Sequence, residues 1–165
     1  MTNIFKTILI TITIGVIGFS IVNAQENPFG TEGINHTGLA VSRLDESVSF
    51  FVEGLGWKKV GGDPDYPSVF VSNGKTLITL WQVEDPMTAI PFHRCKNIGL
   101  HHLAITVESL EKLHALHDRI KEIEGVNIEF APEYLGNGPT THMMINEPSG
   151  IRLEFIVPGD RIKQL

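Results

Sequence analysis

The chain has 165 residues, of which 42% are hydrophobic and 19% charged, a composition typical of one compact domain and unlike that of a disordered or collagen-like chain. Its formal net charge of −6 gives no basic surface for phosphate groups, so we expect no nucleic-acid partner. The single cysteine, Cys95, can form neither an internal disulfide nor a thiolate metal cluster. Any bound metal is therefore expected to have nitrogen and oxygen ligands.

Residues 1–24 have the pattern of a secretory signal peptide. Lys6 precedes an apolar run from Ile8 to Val22, and the small-residue ending Val22-Asn23-Ala24 follows. The run is shorter than the roughly 20 residues that a membrane-spanning helix needs, and the alternative is an uncleaved membrane anchor. We expect cleavage after Ala24 and export to the periplasm or the cell exterior, with no stable membrane insertion of the mature protein.

The rest of the chain contains an internal repeat. Residues 34–41 and residues 100–107 share one alternating pattern, in which His36 aligns with His102. A helical pattern and three short strand patterns follow each segment, so the sequence predicts two βαβββ modules. The predicted boundaries are 33–85 for the first module, 86–98 for a linker and 99–159 for the second module.

The predicted helices are residues 44–55 and 109–123. The strands predicted after them are residues 58–61, 68–71 and 76–83 in the first module, and 126–130, 141–146 and 151–157 in the second. One helix covers only one face of a sheet. We therefore predict an α+β fold in which the two modules form a cupped, mixed β-sheet around a concave cavity.

Alternation along the strands places small and polar residues on the cavity face. His36 and His102 share this face, and in the last strand of the second module the same parity turns Arg152 and Glu154 inward. Two imidazoles and one carboxylate form a facial triad that suits a divalent metal, often iron(II), and leaves coordination positions for substrate. The alternative is that these are ordinary polar residues of a sheet.

Five other residues are candidates for a position near the cavity. His142 is either a general acid or base or a hydrogen-bonding wall residue, and Tyr134, in a glycine-rich segment expected to cover the cavity, either contacts substrate or anchors its loop. Trp81 either lines an apolar pocket or fills the core. Arg94 either contacts an anionic substrate or pairs with a surface carboxylate. His101, adjacent to His102, should point away from the cavity.

Four segments carry a family resemblance: HTGLAV at 36–41, GLGW at 54–57, GLHHLA at 99–104 and EPSGIRLEF at 147–155. With them the chain resembles the vicinal oxygen chelate superfamily over about residues 33–159. That superfamily groups glyoxalase I, extradiol dioxygenases, fosfomycin-resistance enzymes and bleomycin-resistance binding proteins. The resemblance implies four inward-facing positions for metal ligands. Three of them are filled by His36, His102 and Glu154, and the fourth is occupied by Thr79.

The resemblance implies one divalent metal ion, with Fe(II) favoured and Zn, Ni or Mn as alternatives, that chelates adjacent oxygens of a small-molecule substrate. Glyoxalase I has a carboxylate where Thr79 stands, whereas extradiol dioxygenases have no ligand there. A ring-cleaving dioxygenase is therefore favoured over a lactoylglutathione lyase. The alternative is a metal-free small-molecule-binding protein of the bleomycin-resistance type. In such proteins modules pair within one chain or by exchange between two chains of a homodimer, and the sequence leaves both open.

Overall fold

The computed structural model describes residues 29–162, so the predicted signal peptide lies outside the described residues. The chain divides into two compact units, Met1–Gly33 and Ile34–Leu165. Only residues 29–33 of the first unit are described, and they contain no helix or strand. In residues 29–162 no helix has the length and apolar character needed to cross a bilayer.

The second unit consists of two successive βαβββ modules. The first module comprises β1 (Thr37–Val41), α1 (Leu44–Ser49) continued by a π-helical turn (Phe50–Gly54), β2 (Lys58–Asp63), β3 (Ser68–Ser72) and β4 (Leu77–Gln82). The second comprises β5 (Leu103–Thr106), α2 (Leu110–Ile120), β6 (Asn127–Tyr134), β7 (Thr141–Asn146) and β8 (Arg152–Val157), followed by a 3₁₀ turn (Gly159–Arg161). This order confirms the predicted α+β fold of paired modules.

Each module forms its own four-stranded mixed sheet, with strand orders β1-β4-β3-β2 and β5-β8-β7-β6. The first strand of each module runs parallel to the last, which puts Gly38 beside Thr79 and Ala104 beside Glu154. The other strand pairs are antiparallel. Consequently β1 and β5 are both edge strands, each paired on one side only in the part of the chain that the structure describes.

The helices of the two modules share one apolar core. Helix α2 is capped by Ser109, whose side chain accepts a hydrogen bond from the Lys112 backbone N–H. The helix fully buries Leu113 and Ile120 on one face. It contacts the π-helical turn of the first module. Because the helix-covered faces of both sheets contribute to this core, their other faces remain available to form a site.

A buried carboxyl group links the modules. Glu147, in the turn between β7 and β8, is 1% exposed, and its Oε2 accepts a hydrogen bond of 2.6 Å from the Ser47 hydroxyl of α1. Its Oε1 accepts hydrogen bonds from the backbone N–H groups of Ser149 and Ile151. Burial raises the pKa of Glu147 above its ordinary value, against the lowering effect of these hydrogen bonds. This carboxyl therefore favours its protonated form more in the folded chain than in the unfolded chain.

We expect Glu147 to destabilise the fold as pH rises. A carboxyl whose pKa is raised on folding stabilises the protein below the unfolded pKa, and this contribution is lost as pH rises through the folded pKa. Glu147→Gln keeps a group that can hydrogen-bond Ser47 but does not titrate. Urea unfolding from about pH 5 to about pH 8 should therefore show a smaller loss of stability for this variant than for wild type.

The matched control is Glu124→Gln, which removes the same charge from an exposed position. It should retain the wild-type dependence of unfolding free energy on pH. Parallel curves for wild type and Glu147→Gln would contradict the assignment.

Candidate functional site

Glu154 lies between two imidazoles on the inner face of the second sheet. The residue is 7% exposed; its Oε2 lies 3.2 Å from His102 Nε2, and its Oε1 lies 2.5 Å from His142 Nδ1. The strand pairing brings these three side chains together. Strands β5 and β7 flank β8 and place Ala104 and Met144 directly beside Glu154. Two of the three predicted metal ligands and one predicted catalytic residue therefore lie together.

His142 is well placed to orient this carboxylate. The residue is 8% exposed, and the centroid of the Phe130 ring lies 5.0 Å from that of its own ring. A neutral imidazole that donates Nδ1–H to Glu154 has its lone pair at Nε2. His142 can therefore hold the carboxylate with one ring nitrogen and accept a proton at the other.

His36 does not join this group. It precedes β1, is exposed, and its Nδ1 lies 2.9 Å from the Asn35 side-chain oxygen. Across residues 29–162 no group of three or more His, Cys, Asp or Glu side chains is arranged to hold a metal ion. The predicted triad of His36, His102 and Glu154 is therefore not assembled within the described part of one chain.

Thr79 occupies the predicted fourth position with its hydroxyl already engaged. The residue is 4% exposed, and Trp81 Nε1 donates a hydrogen bond of 2.8 Å to Thr79 Oγ1. A Cβ added at Gly38 would lie 3.4 Å from this oxygen, so the hydroxyl is on the same face as Gly38. A neutral hydroxyl held in this way is a poor ligand for a divalent ion.

Trp81 belongs to an aromatic cluster beside Thr79. Its ring centroid lies 5.1 Å from that of Tyr66 and 5.6 Å from that of Phe70. Trp81 and Tyr66 also line a cavity of about 460 Å³ on the first module. Of the two roles considered for Trp81, the structure favours the lining of a pocket.

Arg152 forms a second polar cluster on the face that carries Glu154. Its Nε lies 3.0 Å from both carboxylate oxygens of Glu129, and its Nη2 lies 2.9 Å from Glu129 Oε2. Arg94 Nη1 lies 3.6 Å from Glu129 Oε1, so Arg94 does approach a carboxylate. The hydrogen bonds from Arg152 hold the pKa of Glu129 below its ordinary value, despite the burial of the carboxyl.

A cavity of about 240 Å³ lies beside this cluster and is lined by Phe92, His93, Arg94, His101, Glu129, Asn146, Gly150 and Arg152. The prediction that His101 points away from the cavity is wrong. Its Nδ1 lies 2.9 Å from His102 Nδ1 and 3.5 Å from Arg152 Nη1. Strand β5 begins only at Leu103, so the alternation used to orient His101 does not apply to it.

Tyr134 is the last residue of β6, an outer strand of its sheet, and is 67% exposed. It pairs with Thr141, next to His142 in the ladder. Together with residues 136–139 it lines a further cavity. Its roles as substrate contact or loop anchor stay predictions.

Residues 33–155 match the family model of the Glyoxalase/Bleomycin resistance protein/Dioxygenase superfamily. Among solved structures, a glyoxylase/bleomycin resistance protein/dioxygenase domain from Frankia sp. EAN1pec has a TM-score of 0.66 and 26% identity, with 77% of this chain and 98% of that chain covered. A putative glyoxalase from Bacillus halodurans has a TM-score of 0.62 and 27% identity, covering 76% and 95%. The fosfomycin resistance protein FosX from Listeria monocytogenes shares the fold at 16% identity, with a TM-score of 0.61 and coverage of 78% and 94%. The search of curated proteins gives no match.

We expect Arg152→Gln to lower the free energy of unfolding by about 2 kcal/mol, because the partly buried Glu129 carboxylate loses its charged partner. The double variant Arg152→Gln with Glu129→Gln should regain most of this loss, since no charge is left unpaired. Urea unfolding of the two single variants, the double variant and wild type measures the free energy of coupling between Arg152 and Glu129. Equal losses in Arg152→Gln and the double variant would show that Arg152 stabilises by packing rather than by charge.

Proposed function

Since the chain belongs to the Glyoxalase/Bleomycin resistance protein/Dioxygenase superfamily, we propose that it is a metalloenzyme whose site is completed by a second copy of the chain. Members of this superfamily bind small molecules, commonly hold a divalent metal and often form dimers. In the proposal, His102 and Glu154 of one copy and His36 of the other hold one ion. The main supporting observation is the inward-facing Glu154 carboxylate, with one oxygen directed at His102 and the other at His142.

The donor atoms suit the proposed ion. Two imidazole nitrogens and one carboxylate oxygen are a ligand set typical of iron(II) oxygenases, although zinc, nickel and manganese accept the same donors. His102 Nε2 and Glu154 Oε2 are already neighbours at 3.2 Å. Because Thr79 accepts a hydrogen bond from Trp81, we propose three protein ligands rather than four. This choice favours a ring-cleaving dioxygenase over a lactoylglutathione lyase.

Three features support pairing with a second copy. Strands β1 and β5 each have an unpaired edge in the described part of the chain, and such edges readily accept another strand. The small residues Gly38 and Ala104, which lie on the strands predicted to line the concave cavity, are exposed. The linker also exposes large apolar side chains, with Ile90 at 92% and Met87 at 91%. A two-fold symmetric dimer in which β1 of each copy approaches β5 of the other would bring His36 to the partner's His102–Glu154 pair.

The side chains have distinct roles in this proposal. The bound ion supplies Lewis acidity to adjacent substrate oxygens and, if it is iron(II), reactivity toward dioxygen. His142 holds Glu154 through Nδ1 and can take or return a substrate proton at Nε2. The Trp81 and Tyr66 rings offer an apolar wall that excludes water and can stack on a flat substrate.

Metal analysis tests the ligand set. Protein purified without oxygen should hold about one ion per chain, and His36→Ala and Glu154→Ala should each lose it. Thr79→Val is the matched control and should retain the ion, because Thr79 is proposed not to coordinate. Elemental analysis of the four proteins, after soaking with iron(II), zinc, nickel or manganese, measures the number of metal ions bound per chain. Wild type without affinity for any of these ions would contradict the enzyme and favour a metal-free binding protein.

Mixing two defective chains tests whether the site spans two copies. A dimer of one His36→Ala chain and one Glu154→Ala chain has one intact site and one doubly altered site. Random pairing of equal amounts then restores metal to about a quarter of all sites. Co-expression followed by elemental analysis measures this recovery. If each site lay within one chain, co-expression would restore none, and the two-copy arrangement would be refuted.

The metal-free binding protein is the second candidate function. The separation of His36 from His102 and Glu154 in one described chain favours it. Under that proposal the cavities hold a small molecule without changing it. The two candidates differ in metal affinity, which the elemental analysis measures directly.

We also propose that the chain is exported, on the basis of the residue pattern over 1–24. Intact-mass measurement of the protein recovered from the periplasm or the medium should show a chain that begins at Gln25. Recovery of the full-length chain from the membrane fraction would instead identify an uncleaved anchor.

A further inference from the structure

We propose that the cavity beside Arg152 binds a carboxylate group of the substrate. Combined with the proposed function, on which this step rests, it makes the substrate a small, flat carboxylic acid with adjacent oxygen atoms. The cavity borders the Glu154 site because Arg152 and Glu154 are two residues apart on one face of β8. Its volume of about 240 Å³ suits one ring-sized molecule or part of one.

The cavity has unused capacity to bind an anion. Arg152 directs Nε and Nη2 to Glu129, whereas its Nη1 lies 3.5 Å from His101 Nδ1, at the outer limit for a hydrogen bond. Arg94 Nη1 is 3.6 Å from Glu129 Oε1, too far for a hydrogen bond. Both guanidinium groups can therefore donate to a carboxylate without losing the three hydrogen bonds between Arg152 and Glu129.

The charge of the cavity favours an anion as well. Two guanidinium groups face one carboxylate, and the two histidines in the lining, His93 and His101, carry no negative charge. The whole chain has a formal net charge of −6, so positive charge is concentrated here against the overall sign. A recess with a net positive charge attracts anions. The Arg152 side chain is only 13% exposed, which reduces screening by water.

The distance between Arg152 and the proposed metal ligand Glu154 limits the size of a substrate that contacts both. Residues two apart on a strand are separated by about 7 Å. A carboxylate at Arg152 would therefore place a group on the far side of one aromatic ring near Glu154. Phe92 lines the same cavity and provides an apolar surface for that ring.

Benzoate and its uncharged analogue benzamide test the cavity without any reaction. In nuclear magnetic resonance titrations of the purified protein, benzoate should shift the Arg152 Nε–H signal with saturation, and benzamide should bind much more weakly. Arg94→Gln should weaken benzoate binding about tenfold, since it removes a charge-assisted hydrogen bond. The matched control is Lys121→Gln, which removes one positive charge just after the end of α2 and should leave the benzoate affinity unchanged.

Failure of this inference is distinguishable from failure of the proposed function. Benzoate binding should occur with and without metal, and in Glu154→Ala as in wild type. Absence of a benzoate-dependent shift, equal binding of benzamide, or equal effects of Arg94→Gln and Lys121→Gln would overturn the carboxylate site while leaving the metal site standing. Benzoate binding by a wild-type protein that takes up none of the four ions on soaking would support the carboxylate site, while the lack of metal affinity would refute the metalloenzyme.

Discussion

The parallel pairing of the first and last strands of each module is the constraint on which the site depends. In the second module it sets Ala104 beside Glu154, and so brings His102 to the carboxylate. A shift of one residue in the pairing register of β8 would turn Glu154 into the apolar core, because successive side chains on a strand point to opposite faces. The antiparallel neighbour β7 adds His142 from the other side. The site is thus a consequence of register.

The helix layer determines which faces can carry this chemistry. Both modules contribute to one core, and the Ser47–Glu147 hydrogen bond ties α1 to the turn before β8. That turn leads directly into the strand with Arg152 and Glu154, so the contact between modules also positions the start of the polar face. The cost is a buried carboxyl, which favours protonation in the folded chain.

Much of this arrangement follows from sequence periodicity. The repeat and the alternation predict the paired modules and the inward direction of Arg152 and Glu154. They fail where the alternation stops. His101 precedes β5, and the pairing of β6 with β7 shifts register on both sides of Phe130, so the alternation does not predict Glu129 as the partner of Arg152. The place of His36 depends on how separate sheets meet, which no local pattern encodes.

Three inward or buried carboxylates show how the surroundings divide their tasks. Glu147 accepts hydrogen bonds from neutral groups, and burial is the largest influence on its pKa. These surroundings suit a structural link between the modules. Glu129 is held by a guanidinium that keeps it charged, so it fixes Arg152 while leaving one Arg152 nitrogen for a ligand. Glu154 has an imidazole on each oxygen. Because only this third arrangement combines several donor atoms suited to a divalent ion, we propose the metal at Glu154 and the substrate carboxylate at Arg152.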